Sequence, residues 1–595
     1  MYKHTKPKEK ARIEFGDFQT PQELAFLICR FLRSTGIAPL SIVEPTCGQG
    51  SFLIAALETF TSASQVLGID INSSYLNKVR DKLLNHPFSG KVELKHGDFF
   101  ALRWRNIVDT LPEPLLIIGN PPWVTNSELG SIDGGNLPLK SNFQHHGGLD
   151  AITGKSNFDI SEWMLIQLLT CIRHKQAILA MLCKTAVARK VLKDMWQNNP
   201  GIANAAIYLI DAKKYFNVSV DACLLICHAN KRQVTMDFLH FPYYKGSLFL
   251  DEEGGNSHHP HPTSPLKGEE PKDAPPDTGA PCLKGAGGRE SSLLKGDSQG
   301  PPLKCDGECS HTRLETSEVS NHAYVYPCLT QNSPIAAIGI RDSRLIADIT
   351  KYTRWKHLEL EGEELYTWRS GIKHDCRKVM ELIQEENSYR NGLGECYDLE
   401  DNCIYPFLKS SDLGRREDSA FCKDGASCIV PRCWVIITQE FVGQDTSTIR
   451  HKAPKTWRYL VDHRDFFTQR KSSIYKNRPP FAIFAIGDYA FSPWKVAISG
   501  LYKKLYFVVI GPHAGKPVMV DDTCYFISCH SEGEANLIAE LLNSSPSREF
   551  LSSFIFWDAK RPVTVEVLRR IDIVKLADVL GRKEEIEFYL GKKKQ

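Results

Sequence analysis

Asn120-Pro121-Pro122-Trp123 closes the apolar run Leu115-Leu116-Ile117-Ile118-Gly119. A run of that length and character reads as a buried parallel strand, and two consecutive prolines stop it from continuing as strand or helix. The chain must turn at the strand's carboxyl end, where open α/β sheets bind ligands. The turn gathers an amide side chain, an unpaired backbone carbonyl and an aromatic plane, a set suited to a flat substrate bearing an exocyclic amine. By itself such a turn is also an ordinary loop, because asparagine and proline are common loop residues.

Three upstream carboxylates change its weight. The stretch Val43-Glu44-Pro45-Thr46-Cys47-Gly48-Gln49-Gly50-Ser51-Phe52 places Glu44 just past a strand. Gly48 and Gly50 follow it, allowing a tight strand-to-helix turn and close ligand approach. It is neither GxGxxG nor a phosphate-binding loop with Lys-Ser/Thr. Asp70, in Gly68-Ile69-Asp70-Ile71-Asn72, stands at the next strand tip, placed for ribose hydroxyls. Asp98, in His96-Gly97-Asp98-Phe99-Phe100, could bind an adenine amino group, with Phe99 against the ring. Each residue has a bland alternative as a helix cap or satisfied loop carboxylate. Together, three acidic tips suit a nucleoside carrying positive charge. S-adenosylmethionine fits them better than a dinucleotide, whose pyrophosphate they would repel.

The elements that must hold these tips follow from residues 11–250, where short apolar runs alternate with helical patterns. That alternation predicts a parallel sheet covered by helices. Expected strands are Ser41–Val43, Val66–Ile69, Val92–Lys95, Leu115–Gly119, Ala177–Cys183, Ala205–Ile210 and Ala222–Cys227. Expected helices include Gln22–Ser34, Ser51–Phe60, Ser74–Leu84, Ser161–Arg173 and Lys190–Trp196. The result is one doubly wound, seven-stranded α/β domain. From Asp251 to Ser310, 9 Pro and 10 Gly mark a disordered linker or insertion, assigned to 251–323. Residues 324–595 read as a second, α+β region. Within it, Arg450–Tyr506 carries 12 Lys/Arg against 3 Asp, interleaved with aromatics such as Trp457, Tyr459, Phe467, Tyr475, Phe481 and Tyr502. Such a stretch suits a phosphate backbone; the alternative is a solvated basic face over an aromatic core.

Composition bounds the rest. The 595 residues, 42% hydrophobic and 24% charged, are those of a soluble protein of two or three domains. No apolar stretch approaches the roughly 20 residues that span a bilayer, and the basic start leads into no signal core. A cytoplasmic location and no membrane contact are expected. The 18 cysteines are then reduced thiols. Cys305 and Cys309, with His311 nearby, lack a second pair of suitable spacing, so no metal is expected. The net charge of +3 is uninformative beside its distribution.

In order, these motifs resemble the N6-adenine amino-methyltransferases of DNA with the gamma order of motifs, across residues 11–230. Phe15-Gly16-Asp17-Phe18-Gln19-Thr20-Pro21 looks like that family's FGxFxTP segment. Ser156-Asn157-Phe158-Asp159-Ile160 looks like its helix-leading motif, and Lys214-Tyr215-Phe216-Asn217-Val218-Ser219-Val220-Asp221-Ala222 is similar to the segment that helps hold the target base. The resemblance implies a Rossmann-like S-adenosylmethionine-dependent domain in which Thr20 meets the methionine carboxylate and Glu44 its ammonium. It implies that Asp70 takes the ribose and Asp98 the adenine of that cofactor. Trp123 and Phe216 would stack a flipped adenine in double-stranded DNA, while Asn120 and Pro121 accept its amine protons. Asparagine at the first tetrad position favours adenine, since cytosine-N4 enzymes more often start with serine; Trp in place of the common Tyr keeps the stacking plane.

The carboxy-terminal region resembles target-recognition regions of restriction-associated adenine methyltransferases. Trp368-Arg369-Ser370-Gly371-Ile372-Lys373, Gly487-Asp488-Tyr489-Ala490-Phe491 with Lys495, and Asp558-Ala559-Lys560-Arg561-Pro562 carry that likeness. DNA-binding candidates are Arg369, Lys373, Arg470, Lys471, Lys476 and Lys495, with Gly371 letting backbone approach a phosphate. Rival readings are an N4-cytosine enzyme, a methyltransferase of RNA or of a protein glutamine, and a non-catalytic DNA-binding specificity protein. The 14 residues ahead of Phe15 are too few for a nuclease domain, and no PD-(D/E)xK arrangement is evident downstream. A separate cognate restriction endonuclease is the expected partner.

Overall fold

The short apolar runs of the amino-terminal half become the strands of one sheet, and their near-continuous hydrophobicity has a simple cause: helices cover both faces. The computed structural model describes residues 19–124, 159–198, 202–229, 321–414 and 431–593. In chain order the elements are α1 (Gln22–Ser34), β1 (Ser41–Glu44), α2 (Ser51–Thr59), β2 (Gln65–Asp70), α3 (Ser73–Leu83) and β3 (Val92–His96). There follow α4 (Trp104–Asp109), β4 (Leu115–Gly119), α5 (Ile160–Ile172), β5 (Ala177–Lys184), α6 (Thr185–Asn198), β6 (Ile202–Ile210), α7 (Ala212–Phe216) and β7 (Ala222–Ala229). All seven expected strands are present, each within three residues of its expected ends.

Strands β3, β2, β1, β4 and β5 lie parallel, and β7 runs antiparallel between β5 and β6. The chain winds outward from β1 to β3, then returns to β4 on the other side of β1. That reversal leaves a crevice at the carboxyl ends of β1 and β4. One core layer packs α1, α2 and α3 against the sheet through Leu24, Ile28, Phe52, Leu53 and Val79. The opposite layer packs α4, α5 and α6 through Trp104, Val108, Leu165, Leu168, Val187 and Leu192.

The sheet exceeds the seven expected strands. β8 (His322–Tyr326), β9 (Ala336–Arg341) and β10 (Arg344–Ile346) extend it to ten among the described residues. The expected break between 323 and 324 falls inside β8, which pairs in parallel with β6 from Asn204↔His322 to Tyr208↔Tyr326. The physical reason is β6's second edge, which would otherwise expose unpaired backbone groups. Tyr208 and Tyr326 stack there at 4.6 Å, while Ala323 and Ile338 enter the opposite layer.

Beyond β10 the chain is α+β. Strands β11 (Arg369–Ser370), β12 (Glu381–Gln384), β13 (Tyr389–Asn391), β14 (Cys396–Tyr397), β15 (Ile404–Leu408), β16 (Cys433–Ile436), β17 (Trp494–Ser499), β18 (Val508–Ile510), β19 (Met519–Val520) and β20 (Cys524–Cys529) form two sheets. Their orders are β11-β20-β17-β18 and β14-β13-β12-β16-β15-β19. Arg189 on α6 joins this region to the first sheet, pairing with Asp558 at 2.8 Å and lying 4.5 Å over the Phe556 ring. Among the described residues, no helix is long and apolar enough to cross a membrane.

Candidate active site

β1 delivers Glu44 into the crevice and then turns through the glycine loop. Gly48 and Gly50 adopt left-handed φ values of 51° and 80°. A Cβ on Gly48 would stand 2.7 Å from Gln19 Oε1, and one on Gly50 2.9 Å from Val79 Cγ2. Asp70 grips the loop from β2: its Oδ2 accepts from Gly48 N and its Oδ1 from Asn72 N, both at 2.7 Å. Two residues overlooked in the sequence complete the support. Gln19 Oε1 accepts from Gln49 N at 3.0 Å, and Lys82 Nζ donates to Gln49 O at 2.8 Å. Gln19 lies in the Phe15–Pro21 segment without a role assigned to it there, and Lys82, 33 residues from Gln49, gave no local signal.

Glu44 is the electrostatic centre. It is 3% exposed, and its Oε2 has no hydrogen-bond partner among the described residues. Burial pushes its carboxyl well above the usual carboxylate range, the Leu53 N–H at the start of α2 pulls it back, and Asp70 raises it again. A buried acceptor in that condition is matched by a cationic donor, which restores the ionised form. An aliphatic ammonium fits it, and Thr46 Oγ1 is a second buried oxygen without a hydrogen-bond partner among the described residues. Thr20 is also buried, just ahead of α1, while Phe15 to Phe18 lie outside the described residues.

Asp98, two residues past β3, accepts from Phe100 N at 2.9 Å and stays partly exposed. Phe99 is placed differently from expectation. Its ring is 6% exposed and belongs to the core, 4.6 Å from Trp104 and 6.2 Å from Trp163. The side chain alternates inward here because Trp104 and α5 supply an apolar layer beneath it. Ile71, which the sequence reading left unused, is an apolar side chain exposed at the neighbouring tip, at 38%.

The Asn120–Trp123 turn adjoins Glu44 directly. β1 and β4 pair from Ser41↔Leu115 to Val43↔Ile117, and a Cβ on Gly119 would lie 3.4 Å from Glu44 Cγ. Asn120 and Pro122 are half-buried, Pro121 and Trp123 buried. Trp123 and Phe216, 93 residues apart, meet edge to face at 5.1 Å, so both expected stacking residues come together beside the turn. Phe216 ends α7, which Asp211 caps by accepting from Lys214 N at 2.9 Å. Ser156 to Phe158 lie outside the described residues; Asp159 begins the next described segment and caps α5. Lys184, unmarked in the sequence, donates to Trp123 O at 3.1 Å and to Asp159 Oδ2 at 2.7 Å.

The carboxy-terminal candidates divide. Lys471 and Lys476 are exposed, as is Arg369, whose guanidinium lies 4.8 Å over the Tyr489 ring. Lys373 is partly exposed, 3.6 Å from Asp375 and 3.9 Å from Asp522. Arg470 and Lys495 depart from expectation. The Arg470 guanidinium donates to Ala482 O at 2.7 Å, Pro480 O at 3.1 Å and Phe467 O at 3.1 Å, and stacks 3.7 Å over Tyr475. It staples a loop. Lys495 is 1% exposed and donates to Ser492 O at 2.6 Å; burial lowers its pKa to about 7. The sheet alternation of β17 turns it inward. Gly371 also serves packing, since a Cβ there would lie 2.2 Å from the Val520 and Asp521 carbonyl oxygens. Of the interleaved aromatics, Tyr459, Phe467 and Phe481 are core residues, whereas Tyr502 is 37% exposed.

Comparison with known proteins places this geometry. The family described as N-6 DNA methylase matches residues 4–272. The Type II methyltransferase M.NspV of Nostoc sp. is 40% identical over 574 residues, covering 96% of this chain and 99% of that protein. The chain belongs to the N-6 DNA methylase family. This methylase is also 30% identical over 122 residues to the Type II methyltransferase M.CvrRI of Paramecium bursaria Chlorella virus XZ-6E, a span of 20% of this chain and 28% of that one. Among solved structures, the Type IIL restriction-modification enzyme MmeI in complex with DNA aligns over 89% of the methylase and 61% of its own chain, at 13% identity and a TM-score of 0.39. The methylase is a DNA methyltransferase by its family.

Proposed function

We propose that the methylase transfers the methyl group of S-adenosylmethionine to the N6 amine of an adenine flipped out of double-stranded DNA, as the modification partner of a separate restriction endonuclease. One observation carries this reading: the Asn120–Trp123 turn stands against the β1 tip that bears buried, incompletely paired Glu44. Glu44 would take the methionine ammonium and Thr20 its carboxylate. Asp70, at the tip of β2 beside the glycine loop, would receive the ribose hydroxyls, and Asp98 would accept from the cofactor's adenine amine. When bound, S-adenosylmethionine supplies an electrophilic sulfonium methyl.

The chain's own residues do the rest. Extruding a base costs a few kcal/mol. Stacking on Trp123 and Phe216 returns roughly 1–3 kcal/mol per aromatic contact. The Asn120 side-chain oxygen and the Pro121 carbonyl accept the two amine protons, which draws electron density onto nitrogen and aims its lone pair at the methyl carbon. The amine nitrogen would become cationic on taking the methyl group, S-adenosylhomocysteine leaving, and would then release a proton, so no strong base is needed. The remaining contribution is in-line positioning.

The test is long-read sequencing of DNA from cells expressing wild-type protein or Asn120→Ala. The expected result is N6-methyladenine within one sequence context for wild type and none for the variant, with cofactor binding retained by both. Modified cytosine in place of adenine, or no modified base, would overturn the assignment.

A further inference from the structure

Two successive residues at the carboxyl end of β5 reach both sides of the base-holding pocket. Lys184 Nζ donates to Trp123 O at 3.1 Å and to Asp159 Oδ2 at 2.7 Å. Asp159 is only 7% exposed, and its other oxygen, Oδ1, caps α5 by accepting from Ser161 N at 3.1 Å and Ser161 Oγ at 2.5 Å. Val124 O accepts from Ile160 N at 3.0 Å, so the turn's exit is pinned to the same helix start. The adjacent Thr185 faces the other wall. Its N and Oγ1 both donate to Asp221 O, at 3.0 Å and 2.8 Å. Asp221 ends the loop that begins after Phe216 and enters β7.

The physical need for such tethers is plain. Pro121 and Pro122 have no N–H, so the turn cannot be fixed by its own backbone ladder. The loop after Phe216 leaves α7 through Asn217, an αL helix end with a φ of 55°, and then runs to Asp221 outside any strand or helix. Yet a flipped purine held on two faces needs its walls about 7 Å apart, two ring contacts of about 3.5 Å each. The Trp123 and Phe216 centroids now stand at 5.1 Å, edge to face. The rings must therefore turn to admit a base while the backbones that carry them keep their places.

Resting on the proposed function, we infer that Lys184 and Thr185 are positioning residues which hold the backbones of the two aromatic walls in register, so that the flipped base meets Asn120 at the right height. Lys184 acts through the Trp123 carbonyl and Asp159, and Thr185 acts through the Asp221 carbonyl; neither touches the reacting atoms.

The experiment uses the full chain with Lys184→Met, Lys184→Arg, Thr185→Val and Thr185→Ser. S-adenosylhomocysteine affinity, thermal midpoint, single-turnover methylation rate, KM for DNA and the emission of 2-aminopurine at the target position are measured for each. Lys184→Met and Thr185→Val are expected to slow single turnover roughly 10- to 100-fold and to change 2-aminopurine emission, with KM for DNA and S-adenosylhomocysteine affinity moving by no more than about threefold. Lys184→Arg and Thr185→Ser should restore most of the rate. An unchanged rate in Lys184→Met overturns the inference, as does a rate loss matched by equal losses of thermal midpoint and cofactor-product affinity. Wild-type protein run in parallel separates the two failures: absence of adenine methylation there refutes the proposed function, not the tether.

Discussion

Replacing Glu44 by Gln probes the site at its most exposed physical assumption. The carboxylate is 3% exposed, carries an oxygen without a hydrogen-bond partner among the described residues, and has its pKa raised by burial. If it receives an ammonium, removing its charge breaks a buried ion pair. Gln still accepts one hydrogen bond, so the cost sits at the low end of such losses, about 3 kcal/mol, or roughly 150-fold in Kd. The pH dependence has a definite sign. The ammonium pairs with ionised Glu44, so wild-type affinity for S-adenosylhomocysteine weakens as pH falls through the raised pKa, and binding near that pH releases a proton. The ligand-free protein behaves oppositely. Its folded pKa lies above the unfolded value, so the folded state binds this proton more tightly and loses stability as pH rises through the folded pKa. Glu44→Gln should therefore raise the thermal midpoint of ligand-free protein at neutral pH while weakening ligand binding. Calorimetric titration at several pH values, in two buffers of different ionisation enthalpy, measures affinity and proton release together. A flat wild-type pH profile with Glu44→Gln binding within about threefold of wild type would refute the ammonium assignment.

Other outcomes test the carboxy-terminal reading. Lys471→Gln and Lys476→Gln should weaken DNA binding evenly across sequences, each reducing the slope of log affinity against log salt by about one if it contacts a phosphate. An unchanged salt slope would remove both from the DNA interface. Lys495 responds through stability instead. Its folded pKa of about 7 lies below the ordinary 10.5, so the unfolded chain binds more protons across that window and stability rises with pH through it. Lys495→Met should flatten that rise in denaturant unfolding and leave the salt dependence of DNA binding unchanged; a lost salt contribution would return Lys495 to the DNA-contact list.

The acidic tips and the Asn120–Trp123 turn were legible because each sits within a few residues of a strand that its own apolar run specifies. Glu44 follows Ile42 and Val43, and Asn120 follows five consecutive core residues, so local pattern placed them at the correct end of the sheet. The same reasoning failed for side-chain direction. Phe99, Arg470, Lys495 and Gly371 were read by residue type, but an aromatic, a cation or a glycine has the same type whether it faces ligand or core. What decides is the neighbour across space: Trp104 for Phe99, the Ala482 and Pro480 carbonyls for Arg470, and the Val520 carbonyl for Gly371.

By itself, the sequence determined the seven amino-terminal strands, the glycine loop and the strand-end positions of the three carboxylates and of the Asn120–Trp123 turn, since periodicity and turn chemistry act over a few residues. Tertiary structure decided the rest. It set β8 to β10 beside β6, brought Trp123 to Phe216, and tied Lys184 to the Trp123 carbonyl and Thr185 to the Asp221 carbonyl. Those pairings join residues tens to more than a hundred positions apart. They follow from which edges and faces remain to be buried once the local elements have formed.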